Sequence, residues 1–498
     1  MRRVALFVAV AIVAAFANAP VGADTSALTF VDPGVGGFMS PNLSYVGTLA
    51  TDAPGVGARI VTVNGQRRLY VSSIQGLRIW DVTDPGLPLP LGALELPHWE
   101  NEDVTVSRDG KTVLMSEFTG TYMHVIEVLD LPGGQLQPVL KGFTTGPSGH
   151  IVDCIDDDCD IVYGSEGVMI DLHDKANPVV LSSNWATMNG LPRNGHNLNF
   201  DETGLLWTDT TPIAALDVSD PVNPVAVFRG DKAQQQTNRT AYQHNNIRPN
   251  AALYQPRDPA TAAADPNLRP GELLMGNGET NFTGTCGSGS GPFSVYKIKD
   301  TTPGNTDALQ FVDQLRPVSG QYADGNPAVN RLGCSGHWFT VQPASLVAPP
   351  AEPGGGEDPE CKDKDKDKDK PKDKPKNCKP EDGQTPADDA PVVTPDYLVA
   401  AAWYEHGTRL LSVDKTTGEI TQKGYFQPVV GSASAAHWID DEYIYVVDYE
   451  RGVDILRYDA GAPVPSQEQI DASWLAKLGV VSPLAEQERY ACRLVTQD

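Results

Sequence analysis

Seven segments of this 498-residue chain are variations on one unit, and that repetition narrows the possible folds more than any other feature. They are LRIWDVTDPGLP, MHVIEVLDLPGG, GVMIDLHDKANP, IAALDVSDPVNP, FSVYKIKDTTPG, TRLLSVDKTTGE and VDILRYDAGAP. Aligned on Asp81, Glu127, Asp171, Asp217, Lys297, Ser412 and Arg457, successive copies lie 46, 44, 46, 80, 115 and 45 residues apart. Each unit reads as an alternating strand that runs into an Asp/Ser/Pro turn, where proline cannot continue a ladder, followed by a second strand. Two further short strands joined by a turn lie between copies, as in DVTVSRDGKTVLMSE. Four strands per roughly 45 residues is the arithmetic of a propeller blade. The expected fold is an all-β, seven-bladed β-propeller.

The first and last copies predict how the ring closes. NLSYVGTLA (residues 42–50) has the pattern of an outermost strand yet precedes the first innermost strand, GARIVTVNG, while the seventh unit stops after VDILRYDA. Placing the N-terminal strand in the last blade completes it and removes an open edge. The propeller then spans residues 42–460, with 24–41 as an N-terminal extension. The tail, 461–498, contains SQEQIDASWLAKLG, which predicts a short helix. The two long spacings are insertions in blades five and six. Residues at about 343–393, in blade six, are proline-rich and nearly charge-balanced, which predicts a disordered loop.

The strand followed by DVSDPVNP, repeated with a preceding hairpin that opens on histidine, resembles the LVIVD-repeat proteins, exported or surface propellers of bacteria and archaea. The likeness is strongest at 70–90, 161–228 and 437–460. DVTDPGLP and DVSDPVNP match well, whereas KIKDTTPG and SVDKTTGE have lost the acid or the prolines. The resemblance implies the fold and an exported location. It supplies no reaction.

The N-terminus points to the same location. Arg2 and Arg3 precede an apolar run too short for a comfortable membrane span, and VGA offers small residues at a cleavage point before Asp24. Residues 1–23 therefore read as a signal peptide. No later stretch approaches the ~20 apolar residues of a membrane helix. Loss of Arg2 and Arg3 takes the formal net charge from −26 to −28. Such a surface repels phosphate backbones and argues against nucleic acid as a partner. The expectation is a secreted or cell-surface monomer whose partner is a small molecule or an extracellular protein. Seven cysteines in an exported chain are expected to pair. Proximity and repeat position suggest Cys154 with Cys159, Cys286 with Cys334, and Cys361 with Cys378, leaving Cys492 over.

The histidines follow the repeat. Six fall just before the first strand of a blade: His98, His150, His196, His244, His337 and His437. Acids stand at the exits of the same hairpins: Glu117, Glu166, Asp209, Glu279, Glu405 and Asp448. The first strand of a blade lines the central channel, and a hairpin brings its entrance and exit together, so these groups should meet at one mouth. Counting back from Gly110 and Gly204 puts Glu102, rather than His98, in the position of His196. The expected ring is therefore His150, His196, His244, His337 and His437 with Glu102. His98 falls at the rim, the acids stand behind, and His124, His173 and His406 lie outside the phase.

Neutral imidazole is the commonest transition-metal ligand, and a carboxylate behind it fixes the tautomer and raises its basicity. A divalent transition metal (zinc, copper, iron or manganese) is the candidate cofactor, with open positions for water or substrate. On that reading the chain is a metal-binding propeller and a candidate metal-dependent oxidoreductase or hydrolase. Two readings compete with it. One is a non-catalytic surface or extracellular binding module using the same mouth. The other is structural, with duplication having copied a hairpin clasp that satisfies buried hydrogen bonds. Other chemistry in the sequence is thin. DCIDDDCD lacks the glycine and distal glutamate of an EF-hand loop, and neither G-x-S-x-G nor H-E-x-x-H occurs.

Overall fold

The strands form seven antiparallel sheets, six of four strands and one of six. The computed structural model describes residues 29–31, 37–49, 55–96, 104–193, 195–201, 203–237, 243–249, 272–279, 291–316, 336–346, 396–404, 406–428 and 431–470. Blade four shows the pattern: Leu198–Phe200, Leu206–Thr208, Ala214–Asp217 and Val225–Arg229, each antiparallel to the one before. The innermost strands of the other blades are Gly55–Val63, Val104–Val106, Val152–Cys154, Gln243–Ile247, Phe339–Val341 and Ala433–Trp438. The fold is the expected seven-bladed propeller.

The two-residue period of the strands is what glues the blades. Successive side chains point to opposite faces, so each sheet is apolar on both sides. In blade one, Leu69 and Val71 pack with Tyr445 and Val447 of blade seven, whereas Tyr70 packs with Val104 and Val113 of blade two. A buried apolar cluster of this kind fills every one of the seven interfaces.

The ring closes as the sequence predicts. Leu43–Leu49 is the outermost strand of blade seven, running antiparallel to Gly452–Tyr458 with Leu43 opposite Tyr458 and Leu49 opposite Val453. The residues before it do more than an extension would. Gly37–Met39 pairs with the outer strand of blade six, Ile420–Pro428, and Thr29–Val31 pairs with Gly37–Met39, so that sheet has six strands. Ser40 and Asn42 stitch the passage between blades: Tyr425 N donates to Ser40 Oγ at 3.0 Å, and Asn42 Nδ2 donates to Lys423 O at 2.8 Å.

The blade-six insertion starts later than expected, because Pro343–Leu346 forms a helical turn whose Leu346 packs against the interface of blades five and six. Residues 347–395, with Cys361 and Cys378, lie outside the described residues, as do Cys286, Cys334, Cys492 and residues 1–28. The C-terminal helix begins at 467 with a reciprocal cap. Gln469 N donates to Ser466 Oγ and Ser466 N to the Gln469 side chain, at 3.2 and 2.8 Å. Beyond 470 the tail lies outside the described residues. Cys154 and Cys159 are joined as expected, with Cα atoms 4.7 Å apart. Among the described residues no helix is long and apolar enough to cross a membrane.

Candidate functional site

Four of the predicted histidines, from blades three to six, stand ring against ring. Ring centroids are 5.1 Å apart for His150 and His196, 4.0 Å for His196 and His244, and 3.8 Å for His244 and His337. His196, His244 and His337 are buried, and His150 is half-buried. Their strands begin within about two residues of the histidine, so the hairpin phase that is visible in the sequence delivers them to one place.

Three of the four rings are oriented through Nδ1. It bonds the carbonyl oxygen of Phe118 in His150 (2.7 Å), the Asn197 side-chain oxygen in His196 (2.6 Å), and the carbonyl oxygen of Ser434 in His337. An oxygen acceptor at Nδ1 puts the ring proton there and leaves a lone pair on Nε2. Phe118 belongs to blade two and Ser434 to blade seven, so neighbouring blades aim these imidazoles.

His437 does not join them. Bonds between blades six and seven fix the register: His337 reaches Ser434 O, while Thr340 Oγ1 donates to Ala436 O and accepts from Trp438 N. Ser434 thus stands level with His337, and His437 level with Thr340. Three residues of strand amount to about 10 Å of depth. Four of the five expected histidines thus stand ring beside ring, and the register puts His437 at a different depth. His437 belongs to a lower tier with Arg59, Thr105 and Asp153, each three residues past its blade's mouth position. There Arg59 and Asp153 form a buried ion pair at 3.1 Å across from blade one to blade three. Thr105 Oγ1 donates to Val152 O, and Leu198 N donates to Asp153 Oδ2. This tier forms a floor beneath the arc. Burial first, then the Arg59 charge, hold the His437 imidazole down to about 3.

The acids divide by task. Asp209 Oδ2 accepts from Asn197 N at 2.7 Å, bracing His196 through its neighbour. Burial pushes the Asp209 carboxyl well above the carboxylate range. Asp448 Oδ1 accepts from Glu450 N and Arg451 N, a hairpin clasp, and burial pushes it up to about 7. Glu166 stands in a left-handed turn (φ 65°) and offers its carbonyl oxygen to Asn184 and Arg193. Glu279 is buried and accepts from the Tyr404 hydroxyl at 2.6 Å. His98, Glu102 and Glu405 lie outside the described residues.

Beyond His337 the wall continues, among the described residues, with two tyrosines that the sequence reading does not single out. Tyr404 lies 4.8 Å from the His337 ring and Tyr449 lies 6.5 Å from it, and the two stack at 6.2 Å. Both pack on Val56, the residue of blade one at this level. Each directly adjoins a hairpin-exit acid, Glu405 or Asp448, which is the signal that would have found them. His406 is buried in the Tyr404 turn, whereas His124 and His173 stand elsewhere as expected, the latter exposed beside Asp171.

As placed, the four imidazoles form a row of neighbouring rings, one pair edge-on and two pairs tilted; among the described residues no three His, Cys, Asp or Glu side chains converge as a metal centre does. No family model matches the chain, and no curated protein matches it. Among solved structures, the β-propeller domain of Cps50 (Swd1) from Myceliophteria thermophila is similar at 10% identity and TM-score 0.46, covering 84% of this chain and 100% of that one. A "putative 6-phosphogluconolactonase" from Bacteroides fragilis is similar at 12% identity and TM-score 0.41, covering 84% and 96%. Function has to be argued from the site.

Proposed function

We propose that this chain is an exported binding propeller of the LVIVD type whose histidine arc takes up one first-row transition-metal ion. The observation that carries the reading is the orientation of His150, His196 and His337 through Nδ1, with the His244 ring lying between those of His196 and His337. The Nδ1 bonds of His150, His196 and His337 run to carbonyl and amide oxygens, one form that the outer support of metal-bound histidines takes. The polar floor of Arg59, Thr105 and Asp153 closes the cup below, and a small molecule would reach the ion from the mouth. Open metal positions there would supply any oxidoreductase or hydrolase activity. The DVSDP units and the N-terminal segment support the LVIVD and export parts of the reading.

Metal content tests it. Protein exposed to cobalt, zinc, copper and manganese and then desalted should retain one ion per chain, and His244→Gln should lose it with unchanged circular dichroism. Wild-type protein that retains no ion under any of these conditions overturns the metal reading and leaves a metal-free binding module.

A further inference from the structure

We infer that the seam of the ring is a proton-operated latch: protonated Asp448 lets Arg451 and Asp454 grip the N-terminal strand Leu43–Leu49, and its ionisation frees that strand locally. The inference is independent of what the histidine arc holds. The register of blade seven sets the latch. Thr48 of the N-terminal strand stands directly opposite Asp454, and Asp454 stands opposite Val446 on its other side. Residues two apart on a strand share a face, so Asp448 lies on that same face, diagonal to Asp454.

Asp454 is the hub. Its Oδ1 accepts from Thr48 Oγ1 at 2.7 Å and from the Tyr45 hydroxyl at 3.3 Å. Arg451 grips it bidentately, Nε to Oδ2 at 2.7 Å and Nη2 to Oδ1 at 3.0 Å. Two side chains of the N-terminal strand thus hang on one carboxylate. Asp448, whose Oδ1 accepts from Glu450 N and Arg451 N, brings a second carboxylate to the cluster. Both are fully buried, and one guanidinium balances only one of them. Burial first, and then the Asp454 charge, push the Asp448 carboxyl up to about 7, while the Arg451 charge opposes the shift. Burial also raises the Tyr45 phenol, which stays a neutral donor. With Asp448 protonated the cluster is balanced. Its ionisation places a second anion beside Asp454 and draws on the same guanidinium. Leu43–Leu49 is the outermost strand of the blade, so it is the element that can lift, uncovering Asp454 and Arg451 and admitting water to Asp448. The lifted form returns Asp448 toward 3.8, so from there to about 7 it has released a proton that the closed form keeps. Opening is therefore favoured by up to about tenfold per pH unit in that window and levels off above it.

Amide hydrogen exchange of the full chain, corrected for the intrinsic pH dependence of exchange, is the test. Protection of residues 43–49 should fall more than about 30-fold between pH 4.5 and pH 7 and then level off. The inner strands of blades two to four should keep theirs. Asp448→Asn, which keeps the acceptor for Glu450 N and Arg451 N, should hold the protection of acidic pH throughout. Protection of 43–49 that is flat with pH, that falls only in step with blades two to four, or that still falls in Asp448→Asn overturns the inference. If Asp448→Asn does not fold, the double variant Tyr45→Phe, Thr48→Val is read in its place. Loss of protection at pH 4.5 to the level of the wild type at pH 7 supports the latch, and unchanged protection overturns it.

Discussion

Asp448 and His437 lie on adjacent strands of blade seven, and burial disfavours the charged form of each. Their effects on stability run in opposite directions. The Asp448 carboxyl rises from 3.8 to about 7. Between those values the unfolded chain loses a proton that the folded chain keeps, so stability falls as pH rises through the window. The His437 imidazole falls from 6.5 to about 3, so there the unfolded chain gains a proton that the folded chain refuses, and stability falls as pH drops. Each contributes of order 1 kcal/mol per pH unit, with opposite sign, and the two windows overlap. Asp448→Asn, which keeps the acceptor for Glu450 N and Arg451 N, should therefore gain stability over the wild type steadily from pH 4 to pH 7. His437→Gln should gain it from pH 6.5 down to pH 4. Denaturant unfolding at four pH values checks both; parallel curves for variant and wild type would mean that neither group is buried as described.

At the level of the strand, Leu43–Leu49 carries a load out of proportion to its length. Leu49 is 4% exposed and belongs to the cluster between blades seven and one. Leu49→Ala should cost about 2–4 kcal/mol, as for a core leucine, although the residue lies about 400 positions from the strand it pairs with. A loss under about 0.5 kcal/mol in chemical unfolding would show that the ring is not latched there. This closure was legible because an outermost-strand pattern stood at one end of the chain and was missing at the other. The added strands on blade six were not, since GFM carries no alternation to read and its partner lies nearly 400 residues away. The depth of His437 was hidden for a related reason. Its strand begins at Ala433, four residues before the histidine, and carries a bulge between Ala433 and Ala435, whereas Phe339–Val341 begins two residues after His337. Sequence shows the spacing of a histidine from its turn, while cross-blade bonds set its height in the channel. Tyr404 and Glu279, 125 residues apart, meet only through such a bond.

For the molecule as a whole, the core of the described residues lies in the seven interfaces between blades. Replacing residues 347–395 by a short glycine–serine linker should leave the melting temperature within a few degrees and the metal content unchanged, because long polar loops add little closure entropy. Loss of soluble protein would show that the segment packs. The signal-peptide reading predicts a mature chain beginning at Asp24, which N-terminal sequencing of exported protein checks directly. The histidine phase, four rings on four consecutive blades, is the part of the site that repetition made visible, and the account stands or falls on what those rings hold. The most direct measurement is anomalous diffraction at the metal edge from crystals of metal-loaded protein. The account predicts one peak at about 2.0–2.1 Å from Nε2 of at least three of His150, His196, His244 and His337. Loaded crystals with no peak at the arc, or with the ion bound elsewhere, would contradict it.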